Sequence, residues 1–256
     1  MHVRFLGTGA ANPSSKRGFS CIGVVTPRAG GEDVVLLDCG DGSVGRILQA
    51  RMSINSISNI LITHFHSDHL SGLPQVVETM GIERREQDLN IFGPAGLSDY
   101  FSFIQKVTNV AATRKFHVRI NEVEPKQKVQ IGNFSVRTFE MTHTLPCIGY
   151  RLESEGLSIA YTGDTEPCEG SRALSERVDL LIHEATYLAK DTEKARDAKH
   201  STPGEAADTA RHSEARNLIL THVNDSAESE DKMIDEARRF FQRVSVAQDG
   251  LEVPVS

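Results

Sequence analysis

The sequence lacks several features that would place it in other classes of protein. Its four cysteines, Cys21, Cys39, Cys147 and Cys168, lie far apart and form no C-x-x-C pair, which argues against a cysteine zinc site and a redox dithiol. No apolar run approaches the roughly 20 residues that span a bilayer, so we expect no membrane partner. The amino terminus does not resemble a secretory signal, and we therefore expect a cytoplasmic protein with reduced thiols.

An excess of positive charge is also absent. The formal net charge is −7 and the pI is about 5.8, which disfavours broad, nonspecific binding of nucleic acid. A nucleic-acid substrate would therefore need local contacts, although each short basic run is more often simply a solvated face. The compact basic candidates are Lys16-Arg17, Arg84-Arg85 and Arg114-Lys115.

The length and the ordinary composition, with 39% hydrophobic and 25% charged residues, predict a single domain over residues 1–256. Short β-rich runs, bounded by Gly, Pro, Asn and Asp, recur along the chain with helical signals between them. The predicted strands are Val3–Leu6, Cys21–Val25, Val34–Asp38, Ile60–Thr63, Leu89–Phe92, Val118–Val123, Phe134–Met141, Ile148–Leu152, Ser158–Tyr161, Leu180–His183 and Leu218–Thr221.

Two stretches predict helices, the first through the residue at which the helix begins and the second through the face that packs on the core. Thr202-Pro203-Gly204-Glu205 is a capping box with proline at the first helical position, so a helix should begin directly after Thr202. Near the end of the chain, apolar residues recur at helical spacing, which predicts a stripe that faces the core. The residues of this stripe are Met233, Ile234, Ala237, Phe240 and Phe241.

An internal echo predicts two related halves. Asn59-Ile60-Leu61-Ile62-Thr63-His64 reappears as Asn217-Leu218-Ile219-Leu220-Thr221-His222, and in both places an apolar strand ends at a histidine. The strand that leads to Asp38 has a similar counterpart in the strand that leads to Asp164. We expect the two halves to face each other as one packed unit and to bring their loops together at one edge.

The richest cluster of metal-binding side chains directly follows the predicted strand Ile60–Thr63. It contains His64, His66, Asp68 and His69, and imidazole nitrogen with carboxylate oxygen is the donor set that zinc-like divalent ions select. The loop is too short for all four side chains to reach one ion comfortably. The spacing therefore predicts two adjacent ions, and a solvated turn with chance histidines is a much weaker alternative.

Two ions need more ligands than this loop supplies. His143 follows the predicted strand Phe134–Met141, His222 ends the echo strand, and Asp164 ends another strand with two oxygens that can bridge two cations. Each of these residues alone would more often be a satisfied polar group. Together with the first loop, they become candidate ligands.

These residues carry a family resemblance that extends over nearly the whole chain. Asp38, the His64-x-His66-x-Asp68-His69 loop, His143, Gly163-Asp164-Thr165 and Thr221-His222 resemble the five motifs of the metallo-β-lactamase superfamily. His183-Glu184-Ala185-Thr186-Tyr187 and His200-Ser201-Thr202 are similar to two further motifs of ribonuclease Z, the tRNA 3′-end endonuclease. The resemblance implies an α/β fold, an αββα sandwich of two pseudo-symmetric halves with a metal pair at one edge.

The resemblance also implies the cofactor and its ligands. Two Zn²⁺ ions per subunit are expected, although Mn²⁺, Fe²⁺ or Co²⁺ would accept the same donors. Asp164 would bridge the ions, and Asp68 would serve catalysis as a ligand. The first ion would take His64, His66 and His143, and the second would take Asp68, His69 and His222.

Three further residues receive roles from the resemblance. A hydroxide generated at the metal pair would attack phosphorus in line, and His200, aided by Glu184, would assist proton transfer to the leaving oxygen. Asp38 would orient a ligand histidine through its other ring nitrogen. The alternative for Glu184 and His200 is an ordinary surface pair.

The match to ribonuclease Z is weaker for substrate recognition. Residues 13–18 partly resemble the family's substrate loop, which makes Lys16 and Arg17 candidate substrate-binding residues. The family typically carries a long arm that grips tRNA, but residues 149–158 run straight through a predicted tight hairpin. Without an arm, the main affinity for tRNA phosphates would be missing.

The leading hypothesis is therefore a dinuclear zinc phosphodiesterase of the ribonuclease Z type that processes tRNA 3′ ends, and a homodimer is one expected assembly. The alternative is a small-substrate metallo-hydrolase of the same superfamily that does not process tRNA. It would cleave cyclic or aryl phosphodiesters, sulfate esters or lactams. A non-enzymatic metal-bound sensor is weaker, because the complete ligand set and the proton shuttle are both present.

Overall fold

The computed structural model describes residues 1–12, 14–108, 114–224 and 230–256, and within these ranges the strands form two seven-stranded sheets. The first sheet has the spatial order β14 (Glu252–Pro254), β1 (His2–Gly7), β2 (Cys21–Arg28), β3 (Gly31–Leu37), β4 (Ile57–Leu61), β5 (Leu89–Gly93) and β6 (Val118–Glu122). The second sheet has the order β13 (Val244–Val246), β12 (Leu218–Thr221), β11 (Leu180–Glu184), β10 (Leu157–Tyr161), β9 (Cys147–Ser154), β8 (Phe134–Met141) and β7 (Lys128–Ile131).

Most of the helices cover the outer faces of the sheets. They are α1 (Ser43–Gln49), α2 (Ser67–Leu70), α3 (Leu73–Ile82), α4 (Leu97–Thr108), α5 (Glu169–Leu174), α6 (Thr192–Asp197), α7 (Pro203–His212) and α8 (Glu230–Arg238). The predicted capping box is confirmed, because the Glu205 backbone N–H donates to Thr202 Oγ1 and the Glu205 carboxylate accepts from the Thr202 backbone N–H. No helix in the described ranges is long and apolar enough to cross a membrane.

The alternation of side chains along buried strands produces four layers. In β3, Val34 and Leu36 pack in the cluster that includes α1, α3 and α4, whereas Val35 and Leu37 pack against the other sheet. The second sheet contributes to that shared core and packs its outer face against α5, α7 and α8. The predicted αββα sandwich is confirmed.

The two sheets repeat one pairing pattern. When the first sheet is read from β14 and the second from β7, three antiparallel pairings are followed in each by three parallel ones. By this order, β3 corresponds to β10, β4 to β11 and β5 to β12. Asp38 and Asp164 therefore follow equivalent strands. His64 and His222 do not, because they follow β4 and β12. The sequence echo between them reflects two strands that are buried on both faces, where an apolar run is required in any position.

A short hairpin connects β9 to β10. Leu157 pairs with Ser154, so the turn consists of Glu155 and Gly156 alone. Both residues have positive φ, 53° and 78°, as a two-residue turn of type I′ requires. The predicted hairpin is confirmed, and the chain carries no inserted arm between these strands.

Candidate active site

The candidate residues meet at one edge of the sandwich because most of them follow parallel strands. Parallel neighbours end on the same side of a sheet, and the crevice outside their carboxyl ends is a common place for ligands. Five strands deliver side chains here: β3 leads to Asp38, β4 to the loop His64–His69, β10 to Asp164, β11 ends at Glu184, and β12 leads to His222. His143 lies between β8 and β9, and His200 lies between α6 and α7.

One group of metal-binding atoms is formed by His64, His66, His143 and Asp164. His66 Nδ1 lies 3.0 Å from His64 Nε2 and 3.1 Å from His143 Nε2. Asp164 Oδ2 lies 3.7 Å from His64 Nε2 and 3.8 Å from His143 Nε2. The structure thus brings together the three imidazoles and the carboxylate that the resemblance implies for the first ion.

A second group is formed by Asp68, His69 and His222. His222 Nε2 lies 3.2 Å from Asp68 Oδ2 and 3.3 Å from His69 Nε2. Asp164 Oδ2 also lies 3.4 Å from His69 Nε2 and 3.5 Å from His222 Nε2. Asp164 therefore stands between the two groups, in the position that a bridging carboxylate needs.

The two groups fit divalent metal ions. Ligand atoms at 2.0–2.1 Å from a tetrahedral zinc ion lie about 3.4 Å apart, which falls within the spacing observed here. Asp164 Oδ1 is buried and has no hydrogen-bond partner among the described residues, so one strong acceptor is left for a cation. Burial lowers the pKa of His64, His66 and His143, which favours the neutral imidazole that metal coordination requires.

Asp38 contacts His69, a histidine of the second metal-binding group. Its Oδ2 accepts from His69 Nδ1 at 2.7 Å and from the Tyr161 hydroxyl at 2.8 Å, and its Oδ1 accepts from the Thr63 backbone N–H at 2.8 Å. Asp38 has a φ of 59°, a left-handed conformation that aspartate tolerates better than most residues. Burial disfavours the charged form of His69, but Asp164 and Asp38 outweigh it and raise the pKa of His69 well above its usual value.

Replacing Asp38 with asparagine should weaken zinc binding about 10- to 100-fold, the usual cost of losing a group that orients a metal ligand. An amide offers one oxygen, whereas Asp38 accepts from Thr63, His69 and Tyr161 through two. Competition with a chromogenic chelator would measure the affinity. Asp41→Asn, at an exposed aspartate three positions later, is the matched control, and wild-type affinity in Asp38→Asn would contradict the orienting role.

Glu184 and His200 form a buried couple beside the metal-binding groups. Glu184 Oε1 lies 2.7 Å from His200 Nδ1 and accepts from the Thr165 backbone N–H at 2.7 Å. Its Oε2 accepts from the Thr186 hydroxyl at 2.8 Å and from the Ser201 backbone N–H at 3.2 Å. The side chain of Glu184 is fully buried, so the alternative of a surface pair does not hold.

The electrostatics of this couple favour a protonated imidazole. Burial opposes the charge on His200, but the Glu184 carboxylate outweighs it and raises the pKa of His200 to about 9. Because Nδ1 faces Glu184, Nε2 is the ring nitrogen left for a substrate. His200 also lies within ligand distance of Asp164 and His222, so it stands directly beside the second metal-binding group.

Two supporting residues were not assigned a role from the sequence. The Thr186 hydroxyl lies 2.8 Å from His222 Nδ1 as well as from Glu184, and so connects a candidate ligand to the His200 couple. Tyr161 reaches Asp38 from the end of β10. The available signal was their position, since Thr186 lies two residues after Glu184 and Tyr161 ends a strand that leads to Asp164.

The two residues predicted to bind substrate occupy different environments. Arg17 is buried, and its guanidinium donates to Thr8 Oγ1, to the Ala247 carbonyl and to Glu230. It therefore fastens its loop to the fold instead of presenting its charge to a substrate. Lys16 is exposed, and its role stays a prediction. Pro13, in the same predicted substrate loop, lies outside the described residues.

Comparison with known proteins shows which family the chain belongs to. The family model described as the beta-lactamase superfamily domain matches residues 34–223. The ribonuclease Z of Methanothermobacter thermautotrophicus is 30% identical, with 100% of this chain and 97% of the relative covered. Human tRNase Z, short form, has a TM-score of 0.82 and 30% identity, with both chains covered completely. Bacillus subtilis YhfI, a metallo-beta-lactamase fold protein, has a TM-score of 0.84 at 22% identity and supports the fold alone.

The fold and the donor groups define a metal-dependent hydrolase of the metallo-β-lactamase superfamily. The Methanothermobacter ribonuclease Z and the human tRNase Z are matched along 97% and 100% of their length, not only through the metal-binding motifs. Within the superfamily, the chain belongs to the ribonuclease Z family. The alignment with the Methanothermobacter enzyme extends over 303 positions, whereas this chain has 256 residues, so that relative contains segments with no counterpart here.

Proposed function

We propose that the protein is a dinuclear, zinc-dependent endoribonuclease of the ribonuclease Z type that cleaves precursor tRNA at its 3′ end. The observation that carries this proposal is the convergence of two metal-binding groups on Asp164, beside a histidine held by a buried glutamate. The names of the relatives support an RNA substrate, because one is a ribonuclease Z and another is a tRNase Z.

The proposed ligands divide into two sets that share Asp164. When bound, the two ions supply Lewis acidity, which lowers the pKa of water towards neutrality and neutralises the charge that develops on phosphoryl oxygens. Zinc is the proposed metal because imidazole and carboxylate are its usual donors, and Mn²⁺, Fe²⁺ or Co²⁺ would fit the same set. The sets are His64, His66 and His143 on one side and Asp68, His69 and His222 on the other.

His200 supplies the proton for the leaving oxygen in this proposal. Its Nδ1 is held 2.7 Å from Glu184, which fixes the ring and directs Nε2 away from the glutamate. The Glu184 carboxylate raises the pKa of His200, which favours a ring that carries a proton and can release it to an oxygen that becomes basic as the bond breaks. Glu184 in turn is fixed by Thr165, Thr186 and Ser201.

Substrate binding is proposed to rest on local contacts. Lys16 is the candidate for contact with an RNA phosphate because it is exposed on its loop, whereas Arg17 fastens that loop to the fold.

We also propose a single domain over residues 1–256, supported by the core that the two sheets share. A homodimer is supported by Phe103 and Val107, which lie one turn apart on α4 and are 62% and 58% exposed. The cytoplasmic location stays a prediction.

Two observations favour a second candidate function. The hairpin at Glu155 and Gly156 leaves no arm between β9 and β10, and the chain is acidic overall, with a net charge of −7. Both features reduce the affinity expected for tRNA phosphates. The second candidate is a hydrolase for small substrates such as cyclic or aryl phosphodiesters, sulfate esters or lactams, which would use the same metal-binding groups.

Cleavage of a precursor tRNA with a 3′ trailer by zinc-loaded protein would test the proposed function. Asp68→Ala and a chromogenic bis-aryl phosphodiester serve as the inactive control and the small substrate. We expect zinc-dependent cutting at the trailer junction by the native protein and none by Asp68→Ala, because the variant loses one proposed ligand. Turnover of the aryl phosphodiester with an intact precursor would refute tRNA processing and favour the second candidate.

A further inference from the structure

A cavity of about 160 Å³ shares a wall with the candidate active site. Thr186 lines the cavity, and its hydroxyl contacts both Glu184 and His222 inside the site. Tyr187 also lines it, and the Tyr187 ring centroid lies 5.9 Å from that of His200. The cavity is therefore adjacent to the proposed proton donor, and nothing in the proposed mechanism so far uses it.

The size and lining of this cavity suit one planar ring. An apolar cavity of about 150 Å³ holds a benzene molecule, so this volume corresponds to a single six-membered ring. Leu188, Val223 and Met233 supply apolar walls, and the latter two are buried. Asn224 and the ion pair between Asp191 and Lys194 add polar groups. Apolar walls with a few polar groups are the usual construction of a small-molecule pocket.

We propose that this cavity, the Tyr187 pocket, binds the base of the nucleotide that carries the leaving oxygen. This proposal rests on the proposed endonuclease function. His200 must approach the leaving oxygen, which belongs to the sugar of that nucleotide, so the attached base must lie near the neighbours of His200. The attacking oxygen enters opposite the leaving oxygen, so His200 and its pocket serve the nucleotide on the leaving side.

The proposal gives the protein a means of positioning RNA that does not depend on net charge. Stacking of an unpaired base on an aromatic side chain is tolerant of base identity and does not need phosphate contacts. Tyr187 supplies the aromatic ring, and Leu188, Val223 and Met233 supply apolar walls. The pocket therefore predicts dependence on the presence of a base at one position, with little preference among the four bases.

Abasic substrates test this proposal. Precursor RNAs would carry a single abasic site on either side of the cleaved bond, and analysis of the product ends would identify the nucleotide with the leaving oxygen. We expect kcat/KM to fall about 10- to 100-fold when the base is missing from that nucleotide, and to change little when it is missing from the other. Equal effects at both positions, or none, would overturn the pocket assignment.

A variant that fills the pocket extends the test. In Leu188→Trp, the indole occupies the space for the base, so the ratio of kcat/KM between intact and abasic RNA should approach one. Phe240→Trp, at a residue that is 46% exposed beyond α8, is the matched control and should keep the native ratio. A native ratio in Leu188→Trp would overturn the proposal.

A binding measurement removes any dependence on the metal. An RNA with 2-aminopurine at the leaving-side position would be titrated with metal-free protein in EDTA. Binding should change the fluorescence with the native protein and with Phe240→Trp, and the change should be lost with Leu188→Trp. If RNA is cleaved with no dependence on the base, only the assignment of the Tyr187 pocket is wrong. If the aryl phosphodiester is cleaved and RNA is not, the proposed endonuclease function is wrong, and the pocket assignment is wrong with it.

Discussion

Replacement of His200 with alanine should slow RNA cleavage about 10²- to 10⁴-fold and leave the two proposed metal ions bound, because the variant loses the proposed proton donor and retains the proposed ligands. Steady-state kinetics at saturating zinc would measure the rate, and elemental analysis would count the ions. Loss of an ion from His200→Ala would show instead that His200 is a ligand, which its closeness to Asp164 and His222 makes a meaningful alternative.

The Glu184→Gln variant separates orientation from charge in the same couple. Glutamine can still bond to the ring, but it no longer stabilises the imidazolium, so the pKa of His200 should fall from about 9. A proton donor works only below its pKa. The alkaline limb of the kcat/KM profile should therefore move to lower pH in Glu184→Gln, and an unmoved limb would contradict the role of His200 as the donor.

Replacement of Asp164 with alanine should have the largest effect, with activity reduced at least about 10³-fold, because metal ions contribute several kcal/mol to such reactions. Asp164 stands between both metal-binding groups, within 3.8 Å of ring nitrogens on four histidines, so its loss affects both ions. Zinc content after dialysis would fall below that of the native protein.

Asp208→Ala is the matched control for this variant. Asp208 is a partly exposed carboxylate on α7 whose ion pairs, among the described residues, are with Arg211 and His212 on the same helix. The Asp208→Ala variant should keep the zinc content and the activity of the native protein. If Asp164→Ala also kept the full zinc content, the bridging role proposed for Asp164 would be wrong.

The strands in the interior of the sheets could be predicted from sequence because strands buried on both faces are apolar along their length. Leu218–Thr221, which is buried throughout, coincides with β12. Phe134–Met141 coincides with β8 for a different reason, because its buried and more exposed positions largely alternate, as in a strand with one buried face. The strands that were missed, β7, β13 and β14, have only three or four residues and lie at sheet edges. Three or four residues are too few to show the alternation of apolar and polar side chains that marks a strand, and edge strands are commonly short.

The predicted stripe at the end of the chain was correct only in part. Met233 and Ala237 are buried on α8, but the helix ends at Arg238 and Phe240 is 46% exposed. Helical spacing continued in the sequence after the helix itself had stopped. All four cysteines are free in the structure and three of them are buried, while the reduced state of the thiols stays a prediction.

The candidate ligands were accessible to sequence reasoning because strand ends and spacing identify them. Asp38 also received its role from the resemblance, but the residues that contact Asp38 and His222 in turn were not predicted. Tyr161 supports Asp38 across the space between the two sheets, and Thr186 connects His222 to Glu184, contacts that only the tertiary structure creates. The burial of Arg17 could not be predicted for the same reason, because its partners Ala247 and Glu230 are more than 200 positions away in the sequence.

The two-residue hairpin at Glu155 and Gly156 has a consequence for how this family can vary. The turn lies at one end of β9 and β10, whereas Asp164 follows the opposite end of β10. A Cβ atom added to Gly156 would meet nothing within 4 Å, so the turn is not packed against the rest of the protein. Lengthening a loop at such a point costs little, about 0.6 kcal/mol for each doubling. Segments that confer affinity can therefore be gained or lost here while the catalytic groups keep their positions, which lets recognition and chemistry evolve independently.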